Sequence, residues 1–393
     1  MLFGFEFSNI IKSNRLGILN QDNFDIQRAE NVILLEPAEE NHLSQPIFVR
    51  GNDSERHKID SIYTNTKRGI SQKQLVNINN CALIGCDLIK SLESGKFISL
   101  IGLNNPEQII NRHLSAFSGY QFHTLQENSN KTIFYKNGID IKPKGKGLIL
   151  HGLEGKNYGS FLFRILPQLL LVKELELAFD YFIVPERTSW LLQAIGLLDF
   201  GVKPILTNGE VQGIALDECT YIQTTDNRGF FSSFDKKRLL KFANDLRYIK
   251  NNSHSKKIYI SRRLDAQKTN SRYFESENEV VSHLEKLGFE EIFPEIHCLK
   301  SQINIFANSE FIIGPSGSGL LNSMFAGSGS KVLELEAKSV CTNQHASIYS
   351  STNKQYAFYF GDIKNEENAK SSLLRWSVPL DDFNIAVDDF IYS

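Results

Sequence analysis

Two arginines, a serine-bearing glycine loop and a carboxylate follow one another in this chain, and together they have the chemistry to hold a phosphorylated ligand. The arginines, Arg262 and Arg263, follow Ser261 at the end of KIYISRR (257–263). The loop GPSGSG (314–319) contains Gly314, Ser316, Gly317, Ser318 and Gly319, with Asn322 just beyond it, and Glu334 lies in KVLEL (331–335). Guanidinium groups make charge-assisted, bidentate hydrogen bonds to phosphate. Glycines let the backbone approach an anion, and a short helix over 320–325 would turn its first amides to the same space. A carboxylate ending the neighbouring strand would accept hydrogen bonds from a ribose. Taken singly, the same features also read as a helix-capping turn and a solvated arginine pair.

The intervening segments say what positions these groups. KIYIS alternates as a strand does, and ENEVVSHLEKLGF (277–289) places Val280, Val281, Leu284 and Leu287 on one helix face with Gly288 at the cap position. Strand periodicity returns at EEIF, helix at LKSQINIFANS, strand at EFIIG (310–314) and again at KVLEL. Strand and helix in strict alternation predict a parallel, doubly wound sheet, whose ligands lie beyond the carboxyl ends of the strands. A second alternating stretch runs from GLILH (147–151) through a helix over 157–175, DYFIVP, a helix over 187–197 and VKPILT. In the first of these helices Leu162, Ile165, Leu166, Leu169 and Leu170 fit one apolar face.

These residues resemble family 61 glycosyltransferases. The likeness is carried by YISRR, Arg272, NEV (278–280), GF (288–289), QI (302–303) and IIGPSGSGLLNSMFA, and by the upstream NYGSFLFRILPQLLL (157–171), in the right order over 147–335. The resemblance implies a GT-B-like fold, with two Rossmann-like doubly wound domains facing a cleft. It further implies inverting transfer from a nucleotide-activated sugar without a divalent metal or other cofactor, and a C-terminal segment returning to the first domain. It adds Arg272 to the donor-binding set and assigns Asn157, Tyr158, Ser160 and Arg164 to the acceptor side. The chain departs from the pattern where Ser160 and Ser316 replace histidines and Arg164 stands near an acidic position.

With both histidines replaced, the general base must be sought elsewhere. His151 and Glu154 follow the strand GLILH, and Asp226 follows TYIQ (220–223), so all three would project at carboxyl ends of strands. Each also reads as a loop-bridging or surface residue.

At 393 residues the chain exceeds one hydrophobic core. We expect an N-terminal mixed region over 1–145, an acceptor-side domain over 146–252 and a donor-binding domain over 253–393, with a linker at NNSHS (251–255). A formal charge of −2 argues against a nucleic-acid partner. Five scattered cysteines, Cys81, Cys86, Cys219, Cys298 and Cys341, suit reduced thiols rather than a disulfide framework. The first residues lack a signal-peptide pattern, and the longest apolar run, about twelve residues, is too short to span a bilayer. A cytoplasmic enzyme is the expectation, working at the cytoplasmic face of the inner membrane where a lipid-linked glycan acceptor would bring it into peripheral contact. The family resemblance implies as its partners a UDP-type nucleotide sugar and a glycan acceptor for bacterial surface polysaccharide.

Two rival readings compete. A nicotinamide-dependent enzyme would share Gly317, Gly319 and the strand-end carboxylate, but Asn322 occupies the third glycine position. A catalytically inactive GT-B scaffold that binds nucleotide or sugar would explain the two serine replacements.

Overall fold

The computed structural model describes residues 16–19, 29, 31–84, 88–102, 107–108, 122–127, 130–136, 141–152, 154–207, 214–223, 229–247, 256–264, 273–365 and 374–393. Asp226, Arg272, Cys86 and the NNSHS segment lie outside them. The chain is mixed α/β and divides into two compact units, 1–38 with 71–226, and 39–70 with 227–393.

The second unit is built on six parallel strands, in the order Glu290–Ile292, Lys257–Ile260, Phe311–Pro315, Lys331–Glu336, Gln355–Phe360 and Val49–Gly51. Helices Glu277–Lys286, Leu299–Ala307 and Thr342–Ser351 and the 3₁₀ turn Leu320–Phe325 connect its strands. Central strands read IIG, VLEL and YAFYF because both faces of the sheet are covered. Val280, Val281 and Leu284 lie in one core with Leu333, Leu335 and Tyr359. Gly288 ends its helix at φ +82°, as its cap position predicts.

Both ends of the chain contribute to this unit. Strand Val49–Gly51 and helix Asp53–Thr64, which fall within the N-terminal region expected over 1–145, complete its sheet edge. Gly51, at φ +86°, is required there: a Cβ would fall 1.9 Å from the Phe360 carbonyl oxygen. The C-terminal helix adds to the core of this unit. Phe383, Ala386, Val387 and Phe390 of helix Leu380–Tyr392 recur at i, i+3, i+4 and i+7 and join the core of Leu333 and Tyr359.

The first unit has an eight-stranded sheet. Ile205–Thr207, Tyr181–Val184, Lys146–Ile149 and Ile214–Gln223 run parallel; Lys73–Ile84 then pairs antiparallel with Ile214–Gln223, and Leu88–Ser91, Phe97–Ser99 and Asn31–Glu36 continue the antiparallel part. The unit therefore takes its antiparallel half from the N-terminal third. Cys81 and Cys219 meet across two of these strands with their sulfurs 3.5 Å apart, and no disulfide forms among the described cysteines.

The predicted helix over 157–175 is interrupted. Tyr158–Ser160 begins it, Phe161–Ile165 is a π turn in which the Leu166 amide reaches back to the Phe161 carbonyl, and Leu166–Glu174 is α-helical. Pro167 supplies the cause: it has no amide to donate one turn back, and the wider turn relieves its ring of the preceding carbonyl. The helix is not amphipathic as its leucine spacing predicted. Every residue from Leu166 to Val172 is buried, so it is a core helix covered on all sides. No helix among the described residues is long and apolar enough to cross a membrane.

Candidate functional site

In the second unit, the chemistry gathers at the carboxyl ends of strands Lys257–Ile260, Phe311–Pro315 and Lys331–Glu336. The first strand ends in a turn shaped by a residue that the motif reading passed over. Glu277, at the start of its helix, accepts from the Arg262 amide (2.8 Å), the Tyr259 hydroxyl (3.0 Å) and the Ser261 hydroxyl (3.3 Å). Burial pushes its carboxyl upward, and it looks in sequence like any first-turn acid.

The turn sends the two arginines different ways. The Arg262 Nη1 donates to the Ser316 carbonyl at 3.1 Å, which lays the guanidinium against the glycine loop. Arg263 forks onto Glu291, with Nε 2.8 Å from Oε1 and Nη2 on Oε2, while its Nη1 donates to Asn278 at 3.1 Å. Glu291 stands opposite Tyr259 in the parallel register, a pairing that no local motif announces. A shared diphosphate grip by both arginines is thus not what the geometry offers; Arg262 is the one at the loop.

The loop itself is tightly built. A Cβ on Gly314 would come within 2.8 Å of the Ile260 side chain, so this glycine serves strand packing. Gly317 lies at φ +158°, which L side chains rarely adopt, and a Cβ there would lie 3.5 Å from Arg262 Nη1, an ordinary contact, so the glycine serves the backbone as well as keeping space beside the guanidinium. The amides of Leu320 and Asn322 donate to the carbonyls of Gly317 and Gly319, and the 3₁₀ turn is wholly buried. Those two amides are therefore engaged within the loop, contrary to the expected helix N-terminus. Asn322 is also structural, fully buried with its Nδ2 donating to Gln302 (2.9 Å) and to the Gly319 carbonyl (3.1 Å).

Glu334, the expected ribose carboxylate, is engaged within the fold. It is completely buried, one carboxylate oxygen meeting His345 Nδ1 at 2.5 Å and the other the Tyr349 hydroxyl at 2.6 Å. Burial opposes its ionisation, but the charge and hydrogen bond of His345, helped by Tyr349, hold its carboxyl below the usual range. Residues i and i+2 of a strand share a face, so Glu336 projects beside it. Glu336 takes a hydrogen bond from Thr342 (2.9 Å) on one oxygen, and burial with the neighbouring Glu334 charge pushes its carboxyl well up. The spacing Glu-x-Glu on a strand and His-x-x-x-Tyr on the following helix was the available signal, since both place two polar groups on one face.

The first unit holds the other candidates. His151 is 3% exposed; its Nε2 lies 2.7 Å from the Ile222 carbonyl. Gln168 brackets it, accepting from the His151 amide (3.2 Å) and donating to the carbonyls of His151 (2.7 Å) and Arg164 (2.8 Å). Asn157 caps the helix by accepting from the Ser160 amide at 3.1 Å, and Tyr158 packs between Phe161 and Trp190. Arg164 donates from Nη1 to the Ser160 hydroxyl (2.8 Å) and to Glu154 (3.3 Å). Glu154 is the accessible member, its side chain 39% exposed and its backbone left-handed at φ +59°, a conformation that is unusual outside glycine.

Glu334, Glu336 and His345 form the one described group whose ligating atoms lie within 4.8 Å of one another as a metal site would require. Both Glu334 oxygens already accept hydrogen bonds, which makes the cluster a proton-sharing network in this fold.

No curated protein matches this chain. A segment that takes in both the 158–174 helix and the glycine loop, residues 158–333, matches the family model described as Glycosyltransferase 61, and this match supports glycosyltransferase activity.

Proposed function

We propose that the chain transfers a sugar, with inversion, from a nucleotide-activated donor of the UDP type to a hydroxyl of a glycan or lipid-linked glycan. The observation that carries this reading is Arg262 laid against the 314–319 loop at the carboxyl ends of an all-parallel sheet, inside the segment that matches the family. Such an edge is where open α/β sheets bind nucleotides. Two α/β units are also what a GT-B enzyme needs.

In the reaction, the acceptor hydroxyl attacks the anomeric carbon from the face opposite the nucleotide. The new glycosidic C–O bond forms as the bond to the diphosphate breaks, and Arg262 stabilises the charge that develops on the leaving group. The acceptor proton passes to a base. Of His151, Glu154 and Asp226, we favour Glu154, because it has solvent access and a left-handed backbone, whereas His151 is buried with Nε2 on a carbonyl. Arg164 would orient the Glu154 carboxylate. The products fit bacterial surface polysaccharide assembly by a cytoplasmic enzyme working at the inner membrane.

Calorimetry with UDP, GDP, CMP and their sugars, followed by assay of nucleotide release, tests the reading. Micromolar binding of one nucleotide class with slow donor hydrolysis supports it. Binding without any turnover, even with glycan acceptors, would assign the chain to the nucleotide-sugar-binding scaffold role, and no binding at all would remove the donor site.

A further inference from the structure

Beside the glycine loop lies a notch lined by Arg262, Phe274, Ser316, Leu335, Glu336 and Trp376, with about 10 Å³ of room, enough for one hydroxyl or water oxygen. Phe274 and Trp376 stack flat on each other, centroids 4.0 Å apart, and make a rigid apolar wall. Two of the residues lining the notch are polar and almost wholly buried, Ser316 at 2% and Glu336 at 1% exposure. The Ser316 hydroxyl lies close enough to Glu336 to ease its ionisation, yet Ser316 Oγ and Glu336 Oε1 each lack a hydrogen-bond partner of acceptable geometry within the fold. Buried polar atoms left in that condition cost stability unless something else meets them.

We propose that Ser316 Oγ and Glu336 Oε1 form a subsite for a single hydroxyl group of the nucleotide sugar, with Arg262 at its mouth. The proposal rests on the donor-site reading above and deepens it. A hydroxyl fits because it both donates and accepts, so it meets Ser316 and the Glu336 carboxyl oxygen at once whichever of them supplies a proton. The adjoining Glu334 carboxylate, held by His345 and Tyr349, further disfavours an anion at this depth. Arg262 and the open side of Gly317 would face the phosphates, while the notch reads a neutral neighbour on the same ligand. That hydroxyl belongs either to the ribose or to the transferred sugar.

The test is calorimetry on the full chain, wild type and Ser316→Ala, with UDP, 2′-deoxy-UDP, 3′-deoxy-UDP and UDP-sugars, repeated with the GDP set. If the hydroxyl is ribosyl, wild type binds one deoxy diphosphate about tenfold more weakly, and Ser316→Ala weakens only the ligands that carry that hydroxyl. If it belongs to the sugar, deoxy and ribose diphosphates bind alike and Ser316→Ala weakens only the nucleotide sugars. Equal affinities of Ser316→Ala and wild type for every ligand that binds would overturn the proposal and leave the notch a water site, with the donor reading intact. Absence of nucleotide binding by folded wild type would sink both. The wild-type deoxy series needs no variant, so a misfolded Ser316→Ala does not shield the proposal.

Discussion

The first unit buries a polar cluster after strand Lys146–Ile149, and the second buries one at the end of strand Lys331–Glu336; each keeps an unmet buried hydroxyl, Tyr221 beside His151 and Ser316 beside Glu336, but Ser316 and Glu336 belong to the lining of a notch. Around His151, Gln168 closes three hydrogen bonds, and a fourth joins the imidazole to Ile222. Around Glu336, Ser316 and Glu336 line a notch, and Ser316 Oγ and Glu336 Oε1 lack a hydrogen bond of acceptable geometry within the fold. Burial of polar groups alone thus does not mark a ligand site. A closed network fixes a turn, as Gln168 fixes the chain before the π turn, whereas open valences at a strand edge leave work for a ligand. Glu154 stands out in the first cluster because its carboxylate remains accessible while meeting Arg164.

That exception yields the largest expected effect. If Glu154 is the base, Glu154→Gln should lower kcat by roughly 10²- to 10⁴-fold with little change in KM, the range typical of general base removal. Unchanged kcat would return the role to Asp226 or His151. Steady-state kinetics with the active donor decide it.

The two arginines sharpen the comparison next. Arg262→Ala should weaken nucleotide binding by about 1.5–3 kcal/mol, the worth of a charge-assisted bond, while Arg263→Ala should keep its affinity and lose stability through Glu291. Calorimetry beside a melting curve separates them, and equal loss of affinity in both variants would mean that the ligand draws Arg263 off Glu291.

This division also shows what could be read from the sequence and what could not. The alternation of strand and helix over 257–335 is strong because each segment has its own period, and it gave the parallel sheet and the loop at its edge. The direction taken by each arginine depends on Glu277 and Glu291, which approach through the fold from 14 and 28 residues beyond Arg263. Likewise Glu334 has a strand-end position that suits ribose, but His345 and Tyr349 of the following helix claim both its oxygens. Strand Val49–Gly51 could not be placed because an edge strand of three residues has no usable periodicity.

Glu334 and Glu336, two positions apart on one face, should respond oppositely to pH. Glu334 is lowered from 4.5 in the fold, so its stabilising contribution is complete above that value and is lost as pH falls below it. Glu336 is raised from 4.5, so the folded chain holds a proton that the unfolded chain releases, and its contribution falls as pH rises from 4.5 toward the folded value. Glu334→Gln should therefore cost about 3–5 kcal/mol at pH 7, as breaking a buried charged pair does, and flatten the acid limb. Glu336→Gln should cost less than Glu334→Gln, and the difference should widen as pH rises, since it removes a carboxyl whose ionisation the fold opposes. Denaturant titrations from pH 4 to 8 test this, and similar losses in the two variants would contradict the asymmetric pair.

Gly317→Ala probes the open side of the second cluster. Its Cβ would make an ordinary 3.5 Å contact with Arg262, but at φ +158° an alanine is strained, so a modest fall in melting temperature is expected while the methyl group narrows the space for phosphate, and affinity is read per folded molecule. About tenfold weaker nucleotide binding, near 1.4 kcal/mol, is expected. Gly319→Ala is a poorer probe, because its Cβ would press on Pro294 at 3.3 Å and mix packing with binding. Full affinity in Gly317→Ala would make the loop a turn and move the phosphates away from it.

The smallest expected effect is none. The donor diphosphate on this reading is neutralised by Arg262 and backbone amides, and the described cluster with metal-ligand spacing has both Glu334 oxygens engaged by His345 and Tyr349. A divalent ion entering there would have to displace the His345 hydrogen bond in a site with no exposure at Glu334. Transfer rates should therefore be the same before and after treatment with EDTA, and added manganese should not raise them. Loss of activity with EDTA and its return with manganese would mean that the ion binds, and the discriminating variant is then His345→Phe. If manganese rescue disappears in that variant while nucleotide affinity holds, the buried network is a metal centre after all; if rescue persists, the ion travels with the diphosphate.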